Sequence, residues 1–135
     1  MADTFLLQIA TPERLLIHER VTEAQIPAAN GYLGILPEHS PLLAELGIGE
    51  LSYVVGSGRR QTIAVEGGWV EVLPDHVRVL ATSAEKASEI DLQRAEEALR
   101  RASERLAHPE ENLDLARALN AMKRAQARLD AAKHG

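Results

Sequence analysis

Arg124 and Arg128 stand four residues apart in Met122-Lys123-Arg124-Ala125-Gln126-Ala127-Arg128-Leu129. Like charges at that spacing are mildly unfavourable in an isolated helix, and arginine forks suit phosphate oxygens. A second pair, Asp91 and Arg94, lies in Ile90-Asp91-Leu92-Gln93-Arg94-Ala95. The plain reading of both is structural. Asp91 starts a helix and pairs with Arg94 for roughly 0.2–0.5 kcal/mol, while the two later arginines sit on a solvated face beside Glu96, Glu97 or Glu104. Other chemistry is hard to find. There is no Gly-Lys dipeptide and hence no phosphate-binding P-loop, and no G-x-G-x-x-G. His18, His39, His76, His108 and His134 lack metal-ligand spacing, and there is no cysteine. No set of serine, histidine and acid suggests itself. These absences argue against an enzyme and against a metal site.

The segment from Gly31 to Leu51 is the remaining candidate. Asn30-Gly31 is a strong turn pair. Pro37 and Pro41 fix the backbone on either side of His39. By itself this reads as a structured loop at a sandwich edge.

The elements that must position these residues fall into two halves that divide near Ser83. Before it lie eight of the nine glycines and five of the six prolines. Short β-rich runs there end in turns: Phe5–Ile9 before Thr11-Pro12, Val21–Ile26 before Pro27, and Leu51–Val55 before Gly56-Ser57-Gly58. Thr62–Val65 stops at Gly67-Gly68, Trp69–Leu73 at Pro74-Asp75, and His76–Leu80 alternates cleanly. Such spacing indicates a β-sandwich or barrel. Beyond Ser83 the period changes. Leu92, Ala95, Leu99, Ala102 and Leu106 share one helical face, as do Leu115, Ala118, Met122, Ala125, Leu129 and Ala132. Ser88 is the expected N-cap of the first helix, with Asp91 completing a short capping box. Pro109 breaks that helix and suits the first turn of the second, where Glu110 and Glu111 would meet its positive end. The short connection predicts an antiparallel hairpin. Half of its seam is alanine. A buried methyl contributes only about 0.8 kcal/mol, against roughly 1.5–3 kcal/mol for a leucine side chain, so the hairpin is expected to leave its folded position at low cost.

Charge follows the same division. The formal net charge of −5 sits wholly on residues 1–84, which hold five arginines and ten acids; residues 85–135 balance ten basic against ten acidic residues. An acidic chain of this kind is not a nucleic-acid binder. The N-terminus lacks the basic and apolar regions of a signal peptide. No stretch approaches the about 20 apolar residues that span a bilayer. The absence of cysteine fits a cytosolic setting. Membrane association is therefore expected only through other proteins.

Gly31-Tyr32-Leu33-Gly34-Ile35-Leu36-Pro37-Glu38-His39-Ser40-Pro41-Leu42 resembles the G-x-x-G-I-x-P-x-H-x-P-L signature of epsilon subunits of F-type ATP synthases. Gly67-Gly68-Trp69-Val70-Glu71-Val72 looks like that family's later G-G-x-x-E-V element, and the resemblance runs the whole chain. It implies an N-terminal β-sandwich of about ten strands (residues 1–84) and a C-terminal two-helix hairpin (residues 85–135). It implies a non-catalytic rotor subunit of the central stalk, on the cytoplasmic face of a bacterial plasma membrane. Expected partners are the gamma subunit, the c-ring and, with the hairpin extended, the alpha/beta catalytic head. Tyr32 would face the c-ring, with Glu38, His39 and Ser40 near gamma. Tyr32 departs from the acidic residue of many bacterial relatives, so its ring contact would be aromatic or a phenol hydrogen bond.

Ile90-Asp91-x-x-Arg94-Ala95 further resembles the motif of epsilon subunits that bind ATP in the hairpin. Carried over residue by residue, it implies a regulatory ATP site of Glu85, Ile90, Asp91, Arg94, Ala95, Arg124 and Arg128, and no required cofactor. Near Asp91, an acid and backbone carbonyls would accept from the adenine amino group. Arg117, Lys123, Arg124 and Arg128 would meet the catalytic subunits when the hairpin extends and inhibits ATP hydrolysis. Three rival readings are a purely structural hairpin that buttresses gamma, an adaptor outside ATP synthase, and an unrecognised enzyme.

Overall fold

Alternation sets the sandwich. In β1 (Phe5–Ala10) every second residue is buried, so Phe5, Leu7 and Ile9 face inward. β2 (Leu15–Ala28), β3 (Gly31–Ile35), β4 (Leu42–Glu45), β5 (Ile48–Val55), β6 (Arg60–Val72) and β7 (His76–Lys86) complete the sheet structure. The computed structural model describes residues 3–135. The strand path is β1-β7-β6-β5-β2-β3, with β4 on β6 and β1 returning to β2. β1 and β7 are parallel, and the other pairings are antiparallel. The closed path wraps one aliphatic core, in which Leu7, Ile9, Ile26, Ile35, Leu51, Ile63, Val70, Val72, Val77 and Val79 are all but fully buried.

Seven strands stand among the described residues, against an expectation of about ten. The difference lies in strand continuity. β2, β6 and β7 each serve two sets of neighbours along their length. β2 pairs β1 from Leu15 to Val21, then β5 and β3, with a register shift between Val21 and Glu23. β6 pairs β5 up to Glu66 and β4 from Trp69, turning at Gly67 and Gly68, whose φ angles are 63° and 115°. Counting such strands as two at their bends accounts for the higher number. The region read as a loop after Gly31 is instead β3, a turn and β4. The N-terminal half of β2 escaped the sequence reading because Leu15, Leu16 and Ile17 lead into the polar run His18-Glu19-Arg20.

A single 3-10 turn, Ala87–Glu89, leads from β7 to α1 (Leu92–Ala107), and α2 (Leu115–His134) folds back beside it. Two cap expectations are corrected. Asp91, not Ser88, is the N-cap of α1: its Oδ1 accepts from the Arg94 N–H at 3.1 Å, while Ser88 lies in the preceding turn. Pro109, Glu110 and Glu111 precede α2 rather than starting it. Asp114 caps α2 by accepting from the Arg117 N–H at 3.1 Å. Each aspartate supplies a short acceptor for an N–H that no earlier turn can satisfy.

The helical seam is as thin as its composition implies. Ala95, Ala102, Ala118 and Ala125 are buried, whereas Leu92 and Leu115 at its ends are exposed. α2 also has a second apolar edge. Ala127 and Ala131 are buried with Ala64 of β6, and Ile48 and Ile90 pack around them. The hairpin is thus docked on the sandwich through α2.

Candidate functional site

Polar contacts frame that alanine patch. Arg128 Nε donates to Glu85 Oε1 at 2.9 Å. Arg124 Nη1 lies 3.5 Å from Glu66 Oε1. At the end of α2, His134 Nδ1 is 2.7 Å from Glu50 Oε2. Thr62 Oγ1 donates to the Ala131 carbonyl at 2.6 Å in a buried setting, which satisfies one of the carbonyls a helix leaves open in its last turn. The three carboxylates belong to β5, β6 and β7, and Arg124, Arg128 and His134 to α2.

Glu85, Arg124 and Arg128, three of the seven residues expected at a nucleotide site, are brought to one cleft between β6, β7 and α2. The free volume there is about 20 Å³, so the carboxylates, not open space, hold the arginine forks in this docked state. Ile90 packs beside the alanine patch, Asp91 caps α1 with its carboxylate on the Arg94 backbone, and Ala95 is buried in the helical seam. Of the four cations expected to meet catalytic subunits, Arg117 and Lys123 are exposed, while Arg124 and Arg128 are half-buried against the sandwich.

The expected stalk contacts separate to the two ends of β3. Tyr32 is exposed, and its hydroxyl accepts from the Glu50 N–H at 3.3 Å. At the far end Leu36 and His39 close a turn, the His39 N–H donating to the Leu36 carbonyl at 3.2 Å. Pro37 and Glu38 occupy its centre, and Glu38 has a φ of 66°, the positive value a type II turn demands at its third position. His39 Nδ1 donates to the Ser40 carbonyl at 2.8 Å. The Glu38 N–H donates to the Pro74 carbonyl at 3.0 Å, which fixes the turn against the end of the sandwich.

Several contacts were not foreseen. Glu66, Glu50 and Thr62 meet α2 across long separations, 69 residues for Thr62 and Ala131. Arg14 grips Glu89 through both guanidinium nitrogens at 2.8 and 2.7 Å. That bidentate bond, aided by the Lys86 N–H, holds the Glu89 carboxyl at about 2, well below its ordinary value. No local spacing signals such pairs. A weaker signal was available for the outer sheet face, where Trp69 and Leu80 are direct cross-strand partners in β6 and β7 and are 55% and 52% exposed. Two such large apolar residues side by side expose more apolar area than a lone surface residue does. No helix among the described residues is long and apolar enough to cross a membrane.

A sandwich carrying a docked helical hairpin is the class of protein that fold and site define. The beta-sandwich domain of the ATP synthase delta/epsilon chain matches residues 4–87, and its long alpha-helix domain matches residues 88–133. The chain is 57% identical over 132 residues to the ATP synthase epsilon chain of Solibacter usitatus, covering 98% of each. It is 44% identical to that of Syntrophobacter fumaroxidans, again over 98% of both chains. In fold it matches a chain of the Euglena gracilis mitochondrial ATP synthase with a TM-score of 0.83 at 23% identity, covering 99% of this chain and 84% of that one. The chain belongs to the ATP synthase delta/epsilon family, as a bacterial-type epsilon subunit and hence a non-catalytic part of the central stalk.

Proposed function

We propose that this stalk subunit carries a detachable brake on ATP hydrolysis. The sandwich, residues 1–84, would hold gamma and the c-ring, with Tyr32 toward the ring and Glu38, His39 and Ser40 toward gamma. The Trp69 and Leu80 face supplies apolar area for such a partner. The hairpin, which begins beyond Lys86 at the end of β7, would leave the sandwich, extend along gamma and place Arg117, Lys123, Arg124 and Arg128 against the alpha/beta head. The work would be done on the cytoplasmic face of a bacterial plasma membrane.

The observation that carries this reading is how the hairpin is held. Its contact with the sandwich is a small patch, Ala64, Ala127 and Ala131 with Ile48 and Ile90 around them and the Thr62 bond to Ala131, flanked by two ion pairs that water also reaches. Alanine burial contributes little, and part-exposed ion pairs contribute about 0–1 kcal/mol each. Such an interface exchanges with solvent at small cost. Truncation after Lys86, the last residue of β7, is expected to raise ATP hydrolysis by the assembled enzyme. An unchanged rate sinks the brake and leaves a purely structural hairpin.

ATP would act as the regulatory ligand by replacing Glu66 and Glu85 as the partner of Arg124 and Arg128. Bound to both helices together with Ile90, Asp91, Arg94 and Ala95, it would favour the docked state by mass action. Calorimetric titration of the full chain with ATP is expected to show saturable binding that Arg124→Ala/Arg128→Ala abolishes. No heat at millimolar ATP in the parent chain removes the gate.

A further inference from the structure

A second cleft opens on the other side of the junction and shares no residue with the arginine cleft. Consecutive residues of a strand face opposite ways. Glu85 therefore lines the first cleft and Lys86 the second. The second cleft has a volume of about 440 Å³ and is bounded by the sandwich, the 3-10 turn and the last turn of α2. Tyr53 forms part of its wall. That residue is only 3% exposed, and its hydroxyl has no hydrogen-bond partner among the described residues. Yet no sealed side-chain oxygen lacks a partner among them, so the phenol oxygen keeps some access to solvent, beside the cleft that Tyr53 lines. Burial pushes the phenol up to about 12, which keeps it a hydrogen-bond donor at neutral pH.

Arg59 and Lys86 line the same cleft and make no ion pair among the described residues. Ser88 adds a hydroxyl, and Ala132 of α2 gives an apolar wall. Glu19 is the one acidic side chain of its lining, which Gly135 also joins. We infer that this cleft binds a small phosphorylated polyol, its phosphate on Arg59, Lys86 and the Tyr53 phenol and its hydroxyl-bearing body toward Glu19 and Ala132. The set is selective in a simple way. Two cations and a neutral donor suit a phosphate, and the carboxylate disfavours a bare anion lacking a hydroxyl to offer. An occupant would touch both the sandwich and α2, and so would favour the docked hairpin independently of any ligand at Arg124 and Arg128.

The test is an amide NMR titration of the full chain with glycerol 3-phosphate and, separately, inorganic phosphate. Expected are saturable shifts at Thr62, Ser88 and Ala132, with the polyol phosphate binding more tightly than inorganic phosphate. Tyr53→Phe and Arg59→Ala should each weaken it by roughly tenfold or more, the effect of losing one charge-assisted bond. Arg124→Ala, which loosens only the docking contact with Glu66, should weaken it less than either cleft variant. Shifts that never saturate, shifts centred on Arg124 and Arg128, or an affinity indifferent to both cleft variants would each overturn the site. Equal affinity for inorganic phosphate would overturn the polyol assignment. Because both cleft variants leave Arg124 and Arg128 intact, failure here is distinct from failure of the ATP gate.

Discussion

Gly68 shows how one residue holds the bend of the sandwich. Its φ is 115°, and a Cβ there would sit 1.9 Å from the Leu80 carbonyl oxygen. That is backbone, which cannot rotate aside. Gly68→Ala is therefore expected to cost at least about 3 kcal/mol, the sum of a strained φ and a forced separation of β6 from β7. Denaturant unfolding would show it as a lower midpoint, and a loss below about 1 kcal/mol would mean the bend relaxes freely. The Gly-Gly pair was visible in the sequence as a strand stop, but its role in continuing β6 around a corner was not. The Asp91 and Arg94 pair had two readings in the sequence, and the structure bears on one of them. The carboxylate on the Arg94 N–H is the plain one. The nucleotide reading concerns the state in which a ligand is present.

At the scale of elements, periodicity located both helices and the later strands because each has one clean apolar face. It misplaced the start of α2, since Pro109 signals the end of α1 more strongly than the start of the next helix, and four residues intervene before Asp114. It also missed the second face of α2. Ala127 and Ala131 are too small to register as apolar spacing, yet they make the docking contact. The Arg14–Glu89 tether, which joins the β1–β2 loop to the 3-10 turn, was invisible because its partners are 75 residues apart. Its pH behaviour follows from sign. The Glu89 carboxyl is lowered from 4.5 to about 2 in the folded chain, so its stabilisation is fully present above the unfolded value and is lost as pH falls through about 2. Glu89→Gln should thus be less stable than the parent chain at neutral pH, and the gap should close between those two values. A gap that persists unchanged below pH about 2 would show that the carboxylate's charge contributes nothing. Both partners are solvent-reached, so the effect is expected to be small and to shrink with salt.

For the whole molecule, composition places a change of character near Ser83, while β7 runs on to Lys86 and the two family matches meet between residues 87 and 88. What joins them lay beyond sequence reasoning. The acid surplus of the first half was legible as a number, but the placement of two of its members, Glu50 and Glu66, with Glu85 beside them, beneath Arg124, Arg128 and His134 of α2 appears only after folding. On the proposed reading these carboxylates help to hold the thin docking contact of the hairpin. The brake follows if those pairs decide how often the hairpin leaves.

The direct measurement is ATP hydrolysis by the assembled enzyme carrying Glu66→Gln/Glu85→Gln, with the fold of the isolated variant checked by circular dichroism. Removing two part-exposed ion pairs should raise the undocked population and slow hydrolysis by a factor of roughly 2 to 10. A rate equal to or above that of the parent complex would contradict the account, because the carboxylates would then not be what keeps the brake off.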